Sequence, residues 1–371
     1  MREDSAVSLL NKIMGWKTAE DTKNEHPDLQ ALAKSGYDDY KQFRPSMRFI
    51  ESLALWLDRF PQEKREAAYR FVKNRLLFIT GTQMEQIVSI AYTDYVIPTL
   101  IEQTANEYSD KFLSWEVKKI YDSDEFKILH NQCLFTGLSD GSHIDHFRRS
   151  NKMIDHEQVS RTHEINQPRA KKIKKKLEQR LESFSEKEPK PYFRNIFLID
   201  DFSASGTSYL REDNDESSNV AGKIGGFYDS ITNPKDPISQ LVNYEDLRLF
   251  LILYVATEHA ANTIQNIANE KFSSIPFTVI PIHVLPESIK FDEENEPEFF
   301  ELVKEEKFGW ENLMDQHIAQ GGIDKPYLGF GQGALPLILH HNTPNNSLPI
   351  LYRDDDRTKF RGLFPRVSRH Q

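Results

Sequence analysis

Two adjacent carboxylates at the end of an apolar run, followed by small hydroxylic residues, are the densest chemistry in the chain. They lie in Ile196-Phe197-Leu198-Ile199-Asp200-Asp201-Phe202-Ser203-Ala204-Ser205-Gly206-Thr207-Ser208. The apolar residues predict a buried strand that runs out at Asp200 and Asp201, and open α/β sheets bind ligands at the carboxyl ends of their strands. Ala204, Ser205, Gly206, Thr207 and Ser208 let backbone N–H groups come close to a phosphate, with hydroxyls as further donors. Acids beside such a cradle suit a ligand that carries a ribose next to its phosphate. The carboxylates would accept hydrogen bonds from the ring hydroxyls, or help hold a magnesium ion that protein side chains alone would not complete. Two blander readings compete. A strand ending in two acids is also the Walker B pattern of ATPases, but the P-loop it needs is missing: Gly222-Lys223 is followed by Ile224 and lacks the first glycine. A plain strand and turn with exposed acids stays open.

The segment resembles the phosphoribosyl-pyrophosphate motif of the type I phosphoribosyltransferases: four apolar residues, two acids, three mostly apolar residues, then Thr-Gly-x-Thr. The resemblance implies that Asp200 and Asp201 hold the ribose hydroxyls and that Ala204 to Ser208 cradle the 5′-phosphate, with magnesium as cofactor. The chain departs from the pattern at Ser203, Ser205 and Ser208, all of which keep hydrogen-bonding capacity.

A second loop follows the apolar Cys133-Leu134-Phe135: Thr136-Gly137-Leu138-Ser139-Asp140-Gly141-Ser142. In the family, a loop after an early strand grips the pyrophosphate. Thr136, Gly137, Ser139, Gly141 and Ser142 would do so here, with Arg148 or Arg149 adding charge. An ordinary strand-to-helix turn accounts for the same residues. A third loop, His340 to Pro349, is dense in amides. It reads both as a turn and as a ligand-facing loop through Asn342, Asn345 and Asn346. With Tyr327-Leu328-Gly329-Phe330-Gly331-Gln332 it resembles a branch of phosphoribosyltransferase-like proteins associated with bacterial conflict and antiphage defence. That branch implies a defence effector that binds phosphoribosyl pyrophosphate or a nucleotide and transfers or hydrolyses at the anomeric carbon. The alternative is a non-catalytic nucleotide-sensing or partner-binding module on the same fold.

The elements that must position these loops follow from patterning. Residues 1–115 read as an all-α domain, a scaffold or docking surface for a protein partner. Phe49, Leu53, Trp56, Leu57 and Phe60 repeat at helical spacing, Pro61 opens the next helix, Thr82 with Glu85 forms a capping box, and Pro98 should kink or break the third. From 116 to 371, short apolar runs alternate with helical stretches, which predicts a mostly parallel sheet flanked by helices. Strands are expected at 132–136, 195–199, 247–255, 276–284 and 334–340, and helices at 142–149, 170–184, 258–269 and 298–320. An insertion of about 211–244 replaces the compact helix expected after the cradle, and no acidic or aromatic hood for a base is visible.

The 371 residues suit two domains, and 47 basic against 57 acidic residues give a formal net charge of −10. That excludes a whole-surface nucleic-acid binder but leaves a local stripe at 169–180, where Arg169, Lys171, Lys172, Lys174, Lys175, Lys176 and Arg180 surround an apolar helical face. One cysteine, Cys133, excludes an internal disulfide and a multi-cysteine zinc site. His143 and His146 with Asp145 lack a visible further ligand for a metal. The longest apolar run, Leu249–Ala256, is too short to span a membrane, and the N-terminus has no export design, so a cytoplasmic protein is expected.

Overall fold

The computed structural model describes the chain apart from residues 1–2, 19–21, 24, 163, 212–219, 273, 306–307, 309, 311–323, 356–359 and 367–371. Its strands in chain order are β1 (Leu77–Ile79), β2 (Cys133–Gly137), β3 (Val159–Ser160), β4 (Asn195–Ser203), β5 (Arg248–Thr257), β6 (Phe277–Leu285), β7 (Leu337–Leu339) and a short antiparallel pair, β8 (Asp354–Asp355) and β9 (Phe360–Arg361). β3-β2-β4-β5-β6 form one parallel sheet, in that order. Its central strands are covered on both faces, which is why β5 reads as an unbroken apolar run. On one face, Ile196 and Leu198 of β4 and Leu249, Leu251 and Leu253 of β5 pack on three helices. These are Gln167–Leu181, Lys223–Thr232 and Glu258–Lys271, contributing Ile173, Ile224 and Ile264 among others. On the other face Phe135, Phe197 and Phe250 stack at 5.2 and 4.6 Å.

The chain divides into two compact units, 1–84 with 287–371, and 85–286. The boundary expected at 115 falls inside the second unit, because residues between 85 and 115 cover the aromatic face of the sheet. Tyr92 meets Phe135 edge-on at 6.3 Å, and Asn195 Nδ2 donates to Gln103 Oε1 at 3.0 Å. In the first unit, β1 and β7 pair in parallel. The strand expected at 334–340 therefore joins Leu77-Phe78-Ile79, hidden in a region that reads as helical, rather than the main sheet. Trp56 anchors this unit's core by donating from Nε1 to the Ile350 carbonyl at 2.9 Å.

Local signals were shifted rather than absent. The helix Gly81–Ile90 is capped by Thr80 and Gln83, which exchange hydrogen bonds of 2.9 and 3.1 Å, two residues ahead of the Thr82–Glu85 pair. The third helix ends as a regular α-helix at Ile90, passes into a π-helical stretch at Ala91–Val96, and Pro98 sits in the first turn of the following helix, Ile97–Glu107. The insertion opens with Arg211 and Ala221 exchanging backbone hydrogen bonds of 3.0 and 2.8 Å, and the helix Lys223–Thr232 follows. The helix expected after the cradle is thus delayed, not lost. Of the helix expected at 298–320, Pro297–Val303 is observed and 311–323 lies outside the described residues. Among the described residues, no helix is long and apolar enough to cross a membrane.

Two buried groups beside β2 give tests of this packing. His130 is buried with Nε2 2.7 Å from the Tyr92 hydroxyl, and burial together with the nearby Arg180 lowers its pKa to about 4. The unfolded imidazole titrates near 6.5, so the unfolded chain binds more protons between those values. Stability is then complete above pH 6.5 and falls by about 1.4 kcal/mol per pH unit as the pH drops toward 4. Urea midpoints between pH 7 and 4.5 should show this slope in the wild type and lose it in His130→Gln. Cys133 is fully buried, and burial pushes its thiol up to about 12. A thiol reagent should therefore label it only on unfolding, which titration in and out of denaturant checks.

Candidate functional site

β2 lies between β3 and β4, and the chain leaves β2 toward β3 but leaves β4 toward β5. The connections diverge there, which opens a crevice at the carboxyl ends of these two strands. Both loops singled out in the sequence, 136–142 and 200–208, emerge at that crevice, and their side chains meet across it.

Side chains alternate along a strand, so the paired carboxylates face opposite ways. Asp200 follows Ile196 and Leu198 onto the helix-covered face, where it is fully buried. Its Oδ1 accepts from the Ser139 hydroxyl and, at 3.1 Å, from the Asp201 N–H. Its Oδ2 accepts from the Tyr209 hydroxyl at 2.8 Å and from Lys223 Nζ at 2.6 Å. Burial and the adjacent Asp201 push the Asp200 carboxyl above its usual range, against the pull of Lys223 and Ser139. Asp201 follows Phe197 and Ile199 onto the aromatic face and is half-buried, with Oδ1 accepting from the Phe202 N–H at 2.9 Å. Leu253 pairs with Asp200 in register, which puts Tyr254 beside Asp201. The Tyr254 hydroxyl is buried and, among the described residues, makes no hydrogen bond. Burial and the two aspartates raise its pKa well above 10, so it is a standing donor.

The cradle is pinned at its first residue and at its glycine. Thr257 caps the helix Glu258–Lys271 and also donates to the Ala204 carbonyl at 2.7 Å. Gly206 sits at φ +78, and its N–H meets Ser203 Oγ at 3.2 Å. Ser205, Thr207 and Ser208 are half-buried, and among the described residues the N–H groups of Ser205 and Ser208 donate to no protein atom. Unspent donors on a tight glycine turn are what an anionic group needs.

The second loop closes on the first. Ser139 caps the short turn Asp140–Ser142 by accepting from the Gly141 N–H at 3.2 Å while its hydroxyl serves Asp200. A side chain at Gly141 would lie 2.7 Å from Asp201 Cγ, so only glycine lets the loop come this close. Gly137 is similarly tight, with the Arg161 carbonyl 2.9 Å from where a Cβ would be. Thr136 is buried, and its Oγ1 has no partner among the described residues. Beyond this loop lies a cleft of about 430 Å³ lined by Ser139, Ser142, His143, His146, Arg149 and Arg161, among others. Asp145, weighed as a metal ligand with the two histidines, pairs with Arg161 at 2.9 Å.

The remaining candidates lie elsewhere. Asn342, Asn345 and Asn346 belong to the first unit, where they hold their own loop. Asn342 Oδ1 accepts from the Thr343 N–H, the Asn345 carbonyl accepts from the Phe330 N–H at 2.8 Å, and Asn346 Nδ2 donates to the Phe330 carbonyl at 2.9 Å. The segments 327–332 and 340–349, read together in the sequence, therefore pack on each other. In the helix Gln167–Leu181, Ala170, Ile173, Leu177 and Leu181 are buried, whereas Lys171, Lys172, Lys175 and Lys176 are exposed.

Tyr209, Lys223, Tyr254 and Thr257 escaped the sequence reading. Lys223 stood in view only as the lysine of a failed P-loop. The others carry no local signal, since their roles come from strand register and helix placement. Comparison with curated proteins and with solved structures found no match. A family model described as PRTase-CE matches residues 53–366. That match spans both loops and most of the chain, and it agrees with the parallel sheet and the crevice: the chain belongs to the PRTase-CE family, a phosphoribosyltransferase-like family in fold and in type of function.

Proposed function

We propose that the crevice between β2 and β4 binds the ribose 5-phosphate part of phosphoribosyl pyrophosphate or a nucleotide, and that the protein transfers or hydrolyses at the anomeric carbon. The observation that carries this reading is the meeting of the two loops, with the Gly141 backbone set against the Asp201 carboxylate and the unspent cradle donors on the same strand end. The Asp200–Asp201 end of β4 faces the ribose, and Ala204 to Ser208 take the 5′-phosphate. The loop 136–142 and the cleft beside it, which Arg149 and Arg161 line together with Asp140 and Asp145, take the leaving group. Departure of that group leaves an oxocarbenium-like centre, which a nearby carboxylate stabilises by charge. Isothermal titration with ribose 5-phosphate tests binding: saturable heat in the wild type supports the reading, and none at millimolar ligand opposes it.

The resemblance at 327–332 and 340–349 extends the proposal to a role as an effector in antiphage defence, with a protein partner docking outside the crevice. Phage plating with wild type and Asp201→Asn tests it; equal protection by both would count against an enzymatic effector. A non-catalytic nucleotide sensor is the second reading, favoured by the full set of hydrogen bonds on Asp200, which leaves one carboxylate for chemistry.

A further inference from the structure

Asp200 already holds a cation. Lys223 Nζ lies 2.6 Å from Oδ2 and 4.9 Å from the centre of the Tyr209 ring, so a carboxylate and an aromatic face hold the ammonium together. A carboxylate offers about four lone-pair directions. Ser139, the Asp201 N–H, Tyr209 and Lys223 occupy that many. A magnesium ion bonds oxygens at about 2.0–2.1 Å, so reaching Asp200 would require it to displace one of these donors while repelling the ammonium. Magnesium does not fit at Asp200, and neither does a ribose hydroxyl. Asp201 has different surroundings, one residue on and across the sheet.

We propose that Lys223 is the resident cation of this site. Fully buried Asp200 and half-buried Lys223 form an ion pair that positions Ser139 and Tyr209, while Asp201 alone meets the ribose. The inference rests on the ribose 5-phosphate reading for the role of Asp201, but the Asp200–Lys223 pair stands on its own geometry. It also gives the insertion a purpose. The Arg211–Ala221 closure brings the chain back so that Lys223, the first residue of its helix, reaches Asp200. Asp200 and Lys223 are positioning residues here, acting through the loop that Ser139 caps. Any metal carried by a ligand's own pyrophosphate is separate from this pair.

Two readouts test the proposal. Without ligand, Lys223→Met should lower Tm by several degrees by leaving Asp200 uncompensated, and adding Asp200→Asn should restore most of the loss. Lys223→Arg, which keeps the charge, should stay close to wild type, and chelation of magnesium should leave the wild-type Tm unchanged. No coupling between the two positions, or a magnesium-induced rise in Tm that Asp200→Asn abolishes, would overturn the proposal. With ribose 5-phosphate, which brings no pyrophosphate, wild-type affinity in chelator and in millimolar magnesium should agree within about twofold, while Asp201→Asn loses about tenfold or more and Asp200→Asn clearly less. Equal losses at the two aspartates, or a tenfold dependence of the wild type on magnesium, would also overturn it. Absence of ribose 5-phosphate binding in every protein would sink the functional reading alone, because the Lys223–Asp200 coupling is read without ligand.

Discussion

Asp201→Asn should lower turnover at the anomeric carbon by about a hundredfold or more while leaving stability within about 1 kcal/mol of wild type. The asymmetry follows from where the carboxylate sits. Asp201 is half-buried on the aromatic face, so its amide counterpart keeps the shape and the bond from the Phe202 N–H. What the amide lacks is negative charge toward a centre that becomes positive as the leaving group departs. Gly141→Ala should imitate part of this loss without touching the carboxylate, since its methyl would crowd Asp201 Cγ. Steady-state assays of both variants beside urea titrations separate the two effects. Equal turnover in wild type and Asp201→Asn would remove Asp201 from the chemistry.

Gly206→Ala should strike the phosphate cradle. At φ +78 an alanine costs about 1–2 kcal/mol, because its Cβ crowds the following carbonyl. The added methyl would also lie 3.0 Å from Ile264 Cγ1 and 3.1 Å from the Ala260 carbonyl, the second of which belongs to a helix backbone and cannot easily yield. The turn must therefore shift, carrying the Ser205 and Ser208 N–H groups with it. Expected are a fall in stability of about 2 kcal/mol and a loss of about tenfold or more in ribose 5-phosphate affinity, measured by denaturation and calorimetry. A variant with unchanged affinity would show that the 5′-phosphate binds elsewhere.

The parts of this site that could be read in the sequence were those carried by contiguous residues. Ile196 to Ser208 announces a buried strand, two acids and a glycine turn within one segment, and the strands 195–199 and 247–255 came close to β4 and β5. What could not be read depends on distance along the chain. Lys223 meets Asp200 from 23 positions away, across an insertion, and Tyr254 reaches the site only through the register of β4 with β5. The split of the two aspartates onto opposite faces was implicit in strand alternation, but their roles differ because Ser139, Tyr209 and Lys223 gather around Asp200 on one of those faces. β7 misled for the same reason: three apolar residues mark a strand without naming its partner, and Leu77-Phe78-Ile79 lay in a stretch dominated by helical spacing.

The central claim, chemistry at the anomeric carbon of a ribose held by Asp201 and the 204–208 turn, is tested most directly by phosphorus NMR. Phosphoribosyl pyrophosphate and a nucleotide mixture would be followed with the wild-type protein and with Asp201→Asn, in magnesium. Release of pyrophosphate or ribose 5-phosphate by the wild type alone is the expected result. Unchanged spectra with both proteins, or equal release by both, would contradict it.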